Sequence, residues 1–217
     1  MSLFELANFS LTVAERTLFS DVTLKLERQQ TFCIETAVLD GGSSLLKCCA
    51  GIYQPSAGNI LLEGKSISSL SIEQRFRNLT YCYELGGLIS SFSIYDNIAF
   101  PLLFNGVYKF DEVKNKIYNM AESLNIEHIL ALGIHQINDV QMRLLNLLRA
   151  LCIQPKVLLI DEIQSGMSDI MIQQVIDVLK EQQNLHGFSM IITTTGGDQI
   201  EFADRTFKIE NQKIVEF

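Results

Sequence analysis

At 217 residues with 47% hydrophobic content, the chain is long and apolar enough to bury a large core. Its formal net charge of -8 excludes a nucleic-acid groove or an anionic membrane surface as partner, because both need clustered lysine and arginine. No apolar run is long enough to span a bilayer, and Met1-Ser2-Leu3 leads into Phe4-Glu5-Leu6 without a basic start or an apolar signal core, so a cytoplasmic location is expected.

Residues 3 to 34 alternate apolar and polar twice, as LFELANFSLTV and TLFSDVTLKLERQQTFCI, around a polar break at Ala14-Glu15-Arg16. That pattern predicts an antiparallel hairpin or small meander. The stretch TFCIETAVLDGGSSLLKCCAGI, Thr31 to Ile52, then reads as a buried strand, a tight turn at Gly41-Gly42 and a helix starting near Ser43. Such a strand, glycine turn and helix aims free backbone N–H groups and the positive end of the helix dipole at one point, which is how proteins hold phosphate. The lysine that such a loop normally carries is missing. Gln54-Pro55-Ser56-Ala57-Gly58 is a predicted turn, and Asn59 to Gly64 a short strand ending in another.

Leu79 to Tyr83 is a further predicted strand, followed by a loop at Glu84-Leu85-Gly86-Gly87 and a helix opening within Ser93 to Phe100. Helical spacing continues through Val113, Ile117, Met120, Ala121, Leu124 and Ile129, predicting a helix over Asp111 to Leu132, and again over Gln141 to Cys152 before Pro155. These pieces make a helical insert over about residues 90–152. Val157-Leu158-Leu159-Ile160 ahead of Asp161-Glu162 has the pattern of a central parallel strand buried on both faces. A helix over Ser168 to Gln183, a buried strand over Phe188 to Thr193, a short helix over Asp198 to Ala203 and a hairpin turning at Asn211 close the chain. Strands alternating with helices imply an α/β fold, a parallel sheet with helices on both faces and an antiparallel β piece at the N-terminus. The five cysteines sit in apolar segments without C-x-x-C spacing and are expected as buried thiols, while the three scattered histidines suggest no zinc site.

The order of these pieces, with the segments RALCIQPKVLLIDE, SFSIYDNIAFPLL and EFADRTFKIENQKIVEF, resembles the nucleotide-binding domain of ABC transporters over nearly the whole chain. The resemblance implies one P-loop NTPase-like domain over residues 1–217, ATP and Mg²⁺ as cofactors sandwiched between two such domains, and a membrane permease as partner. Within that family, LGGLISSFSIYDNIAFPLLFNGVYKFDEV looks most similar to the ATPase subunits of bacterial lipid-transport systems that work with MCE proteins.

Carried over residue by residue, the motifs match less well than the scaffold. In the phosphate loop G-x-x-x-x-G-K-[ST]-[ST], Thr36 replaces the first glycine, Gly41 keeps the second, and Gly42 stands where the lysine belongs; Ser43 and Ser44 keep the hydroxyls, Ser43 being the one expected at Mg²⁺. Asp40 works against phosphate, since a carboxylate at ~4 Å costs a few kcal/mol at an effective dielectric of ~20. The lost lysine removes a charge-assisted bond worth ~1.5 to 3 kcal/mol. Lys47, a turn into the helix, is a poor substitute. Asp161 aligns with the Mg²⁺-holding aspartate and Glu162 with the glutamate that activates water; alternatively, two acids simply end a buried strand. The L-S-G-G-Q signature, which grips the γ-phosphate from the opposite subunit, aligns with Ile137-Asn138-Asp139-Val140-Gln141, of which only Gln141 is retained and Asn138 keeps a polar side chain. Glu84 stands at the switch-loop glutamine, Thr194 or Thr195 at the switch histidine, Ser168 or Asp169 at the dimer-contacting aspartate, and Val13 at the aromatic that stacks on adenine, with Phe9 or Leu11 as alternative apolar surface.

These departures imply an ABC-type subunit that keeps its fold and its permease-docking surface near Leu85 to Asp96, hydrolyses ATP poorly or not at all, binds ATP and Mg²⁺ weakly or not, and forms a homodimer or pairs with another ABC ATPase subunit. Two alternatives stay open. One is a scaffold or regulatory protein that binds no nucleotide, and the other a working ATPase with an unusual loop, in which Glu162 is catalytic.

Overall fold

The computed structural model describes residues 2–104 and 109–217. Residues 105–108, inside the segment likened to lipid-transport ATPases, lie outside the described residues, as does Met1. The chain opens with two long strands, β1 (Phe4–Val13) and β2 (Arg16–Leu26), antiparallel and joined at Ala14-Glu15, both with positive φ. β3 (Thr31–Glu35) leaves for a different sheet, so of the two expected forms, hairpin or small meander, the chain forms the hairpin, which ends at Leu26. β4 (Ala57–Leu62) and β5 (Lys65–Ser66) return to the first sheet, whose order is β2-β1-β4-β5. Its face holding Phe4, Leu6, Phe9, Phe19, Leu24 and Ile60 is buried, which is what the period-2 alternation specifies.

The second sheet has the order β10-β9-β3-β8-β7-β6, built from β6 (Leu79–Cys82), β7 (Val157–Asp161), β8 (Ser189–Thr194), β9 (Arg205–Glu210) and β10 (Lys213–Glu216). All pairs are parallel except the terminal β9-β10 hairpin. α1 (Gly42–Cys49) packs on one face of this sheet. The other face carries α3 (Ile94–Phe104), α4 (Phe110–Ser123), α5 (Asp139–Ile153) and α6 (Asp169–His186). Successive residues of β7 serve the two faces in turn: Val157 and Leu159 join the core under α1, Leu158 and Ile160 the core under the other helices. Apolar packing on both sides explains why the strand is an unbroken apolar run. All five cysteines are buried as free thiols within these cores.

Three local expectations are corrected. The helix predicted over Asp111 to Leu132 stops at Ser123, because Asn125 takes a left-handed φ of 55°, and a single 3₁₀ turn at Glu127–Ile129 then buries Ile129. Residues 198–203 form turns instead of a helix: Asp198 folds its carboxylate back onto the Thr195 N–H, and the Gln199 N–H donates to Gln164. A helix not predicted, α2 (Ile72–Asn78), is started by Ser71 and Gln74 in a reciprocal capping box. Among the described residues, no helix is long and apolar enough to cross a membrane.

Candidate functional site

The turn between β3 and α1 has the expected backbone. Gly41 caps the helix with φ 102°, a conformation costly for other residues, and a Cβ there would press on Leu18 and Phe19 at 3.0 to 3.2 Å. Gly42 begins α1. Around these glycines the loop is closed on itself. Asp40 accepts from the Ala37 N–H at 2.5 Å through one carboxylate oxygen and from the Gly42 N–H at 3.3 Å through the other, so it takes two donors of the kind that a phosphate would use. Thr36 is held by its own N–H and hydroxyl on the Thr194 carbonyl, at 2.8 and 3.1 Å. A Cβ built at position 42 would meet the Thr36 methyl at 2.5 Å. A side chain at 42 therefore fits only if Thr36 shifts. Lys47 points elsewhere, with its ammonium 5.9 Å from the Tyr53 ring centre.

Asp161, at the end of β7, is buried and bonded by three hydroxyls: Ser43 donates to Oδ1 at 3.1 Å, Thr193 to Oδ1 at 2.8 Å and Tyr81 to Oδ2 at 2.5 Å. Burial, then the neighbouring Asp161 carboxylate, pushes the Tyr81 phenol well above its ordinary range. Glu162 follows with a positive φ of 43°, its N–H bonded to Thr193 Oγ1 at 3.2 Å. Its carboxyl is raised above the ordinary glutamate value, first by burial and then by Glu84, Asp161 and Asp198. Gly41, Gly42, Ser43, Ser44 and Glu162 line one cavity of about 470 Å³ with Val13, Arg16 and Leu18. Val13 is exposed there, but Phe9 and Leu11 are buried in the core and offer no surface, which corrects that alternative.

Two features set this loop apart from an open phosphate cradle: a Cβ at position 42 would meet the Thr36 methyl, and Asp40 accepts from two backbone N–H groups. The Mg²⁺ donor set, Ser43 and Asp161, is assembled, yet both Asp161 oxygens already accept from protein hydroxyls. Among the described residues, no cluster of three or more His, Cys, Asp or Glu side chains is placed to hold a metal ion.

Of the remaining predicted residues, Glu84, Asn138, Gln141, Ser168 and Asp169 do not line this cavity, and Thr194 backs the loop at Thr36. Asn138 caps α5, accepting from the Gln141 N–H at 2.8 Å, while the Gln141 side chain accepts from the Asn138 N–H at 3.0 Å. Both side chains are thus engaged in starting their own helix. Ser168 likewise caps α6, and Asp169 is exposed at its first position. Thr194 is buried; its carbonyl receives Thr36, and its hydroxyl has no partner among the described residues. Glu84 pairs with Arg143 of α5 at 3.0 Å. The composition of this helix gave no sign of that pair, nor of the Asn146 and Arg149 bonds to the same segment: Asn146 donates to the carbonyls of Tyr83 and Gly86 at 3.2 and 3.0 Å, and Arg149 to that of Gly87 at 2.6 Å. The signal available was polar residues at 143, 146 and 149 recurring every third position in an otherwise apolar helix.

Beside this segment opens a groove of about 530 Å³, walled by Ile72 and Phe76 of α2, Ile89, and Phe100 and Pro101 of α3, with Arg75 and Arg149 in its lining. Among the described residues no carboxylate lines it. The surface expected over Leu85 to Asp96 contributes Gly87 and Ile89, but Ile94 is fully buried in the core; the rest of the wall comes from α2 and α3. The α2 contribution was invisible because α2 itself was not predicted.

A parallel sheet whose first strand turns through glycines into a helix, with paired acids at the end of the strand next but one and an antiparallel sheet alongside, defines a nucleotide-binding cassette in architecture. The sequence pattern of the family described as "ABC transporter" matches residues 19–165, and the chain belongs to that family. A molybdate/tungstate import ATP-binding protein of Methanocaldococcus jannaschii is 30% identical over 213 residues, covering 91% of this chain and 70% of its own length. A lipoprotein-releasing system ATP-binding protein of Blochmanniella floridana is 25% identical, with 88% and 80% covered. A methionine import ATP-binding protein of Haemophilus ducreyi is 24% identical, and the chain spans only 52% of its length. Among solved structures, the cbiO1 protein of Clostridium perfringens superposes with a TM-score of 0.81 at 21% identity, covering 99% of this chain and 87% of that one. The dimeric bacterial ABC transporter cassette MJ0796 gives 0.87 at 16% identity, covering 97% and 96%. At such identities these two speak for the fold.

Proposed function

We propose that this chain is one cassette over its whole length, that it docks on a membrane permease through the groove between α2, α3 and the segment after β6, and that its ATP hydrolysis is impaired or lost. The observation that carries the reading is the match of Thr36 to Gly42, with Asp40 closing the loop. Together they leave neither room nor charge for the lysine-phosphate contact. Glu162 would be the catalytic base in any residual activity, with Ser43 and Asp161 at the metal and Gly41 to Ser44 at the phosphates. Asn138 and Gln141 would face a second cassette, and Glu84 and Thr194 would stand at the switch positions. We place the chain with ATPase subunits of lipid-transport systems that use MCE proteins, on the likeness of the segment from Leu85 to Val113, and propose a cytoplasmic position at the membrane, as a homodimer or beside a second ABC subunit.

Thermal-shift and calorimetric titration with ATP-Mg²⁺, together with phosphate release in the presence of the permease, test the nucleotide part. The expected outcome is no shift at millimolar ATP and no release above that of Glu162→Gln. Release that vanishes in Glu162→Gln sinks the pseudo-ATPase reading in favour of a working enzyme. Co-purification with an MCE-system permease from the same genome, lost in Ile89→Asp and Phe100→Asp, tests the docking part; unchanged co-purification of both variants sinks it.

A further inference from the structure

Arg143 is 5% exposed, yet its guanidinium carries five donors. Glu84 receives one of its terminal nitrogens at 3.0 Å, and Nε has no partner among the described residues. A buried cation held this way strongly resists losing its carboxylate, because withdrawal would leave an uncompensated charge in the interior. A neutral side chain at position 84 could leave at much lower cost. Asn146 and Arg149 stand three and six residues further along α5, on the same face, and hold the carbonyls of Tyr83, Gly86 and Gly87. The Gly86 N–H donates to Met142 Sδ at 3.2 Å, and the Ile89 N–H to Asn97 Oδ1 at 2.6 Å. Tyr83, Gly87, Ile89 and Arg149 all line the groove.

We infer that Arg143 is a positioning residue for the groove: its ion pair with Glu84 latches the segment from Tyr83 to Ile89 onto α5, so that the groove keeps its shape with no nucleotide bound. At the position where the family resemblance implies a glutamine that responds to nucleotide, this chain has a fixed strut. The partner surface is then permanently presented. This inference rests on the proposed reading of the groove as a docking site, but its test reads the ligand-free protein.

Amide hydrogen exchange at Gly86 and Ile89, taken relative to α6 amides, is measured in the full chain and in Glu84→Ala, Arg143→Met, the double variant and Glu84→Gln. The core variant Ile117→Val serves as a control for general loosening. Each of Glu84→Ala and Arg143→Met is expected to raise the ratio about tenfold or more, as for loss of a local anchor. The double variant should go no further than the larger single, because the two act on one bond; Glu84→Gln should fall between, and Ile117→Val and ATP-Mg²⁺ should leave the ratio unchanged. If Glu84→Ala does not fold, Arg143→Met, which removes the buried charge itself, gives the same reading. An unchanged ratio in Arg143→Met, additive effects in the double variant, or a response of the wild type to ATP-Mg²⁺ overturns the latch. Phosphate release without any change at these amides would instead overturn the pseudo-ATPase reading and leave the latch standing.

Discussion

The loop after β3 and the segment after β6 both leave the C-terminal ends of parallel strands, where α/β folds place their ligands, yet they are stabilised in opposite ways. The first is closed by its own residues, Asp40 on Ala37 and Gly42, with Val38 and Leu39 exposed at its tip. The second makes few bonds of its own and is held from outside by Arg143, Asn146 and Arg149 of α5. A loop that satisfies itself can keep its shape with no ligand and offer little to one, whereas a loop tied to a helix transmits what happens to that helix. The contrast sets a loop closed by its own bonds against a segment tied to α5.

The contrast breaks most sharply at Asn146. Replacing it with alanine strands two carbonyls and removes the acceptor for Arg149 in a side chain 1% exposed, so a loss of about 2 to 3 kcal/mol is expected, read as a lower denaturant midpoint at unchanged slope. Next comes Gly42→Lys alone. It forces the Thr36 methyl aside and should cost about 1 to 3 kcal/mol by overpacking, with no gain in ATP binding, whereas Thr36→Gly with Gly42→Lys should recover the fold and bind ATP-Mg²⁺ roughly tenfold tighter or better than wild type, as calorimetry would measure. A double variant that binds no better would show that Asp40 alone closes the loop. Asp40→Ala should lower stability by about 1 kcal/mol, the worth of the loop's internal bonds, seen as a modest fall in melting temperature.

The smallest expected effect is at Glu162. Its folded carboxyl is raised, so the folded state binds a proton more readily than the unfolded chain, and the destabilisation is present above the folded value and relieved as pH falls through it. Glu162→Gln keeps the strained backbone but removes the charge. It should melt slightly higher than wild type near neutral pH, with the difference shrinking as the solution is acidified past the ordinary glutamate range. A difference that grows on acidification would contradict the assigned shift.

What sequence made legible follows from range. Period-2 alternation in β1 and β2, the apolar run of β7 and the glycines at 41 and 42 act within a few residues, and all sit where they were expected. Motif gaps at 36, 40 and 42 were visible one by one. That a side chain at 42 would meet Thr36 was not, because their approach depends on the three-dimensional return of the loop. Glu84 and Arg143, 59 residues apart, carry no local sign of pairing. α2 was missed because none of its residues is buried, so no apolar stripe marks it, and residues 198–203 failed as a helix because side-chain bonds to Asp198 and Gln164 outcompete the backbone ladder.

The closeness of Thr36 to the place a side chain at 42 would take also sets the order in which this loop can change. While threonine stands at 36, any side chain at 42 collides with it, so a lysine arriving there in one step meets a steric penalty before it can meet a phosphate. Thr36→Gly removes that collision at the cost of the hydroxyl bond to the Thr194 carbonyl, while the backbone N–H bond to the same carbonyl stays. The order of substitution therefore matters: relieving position 36 before filling position 42 avoids the collision, and the reverse order meets it.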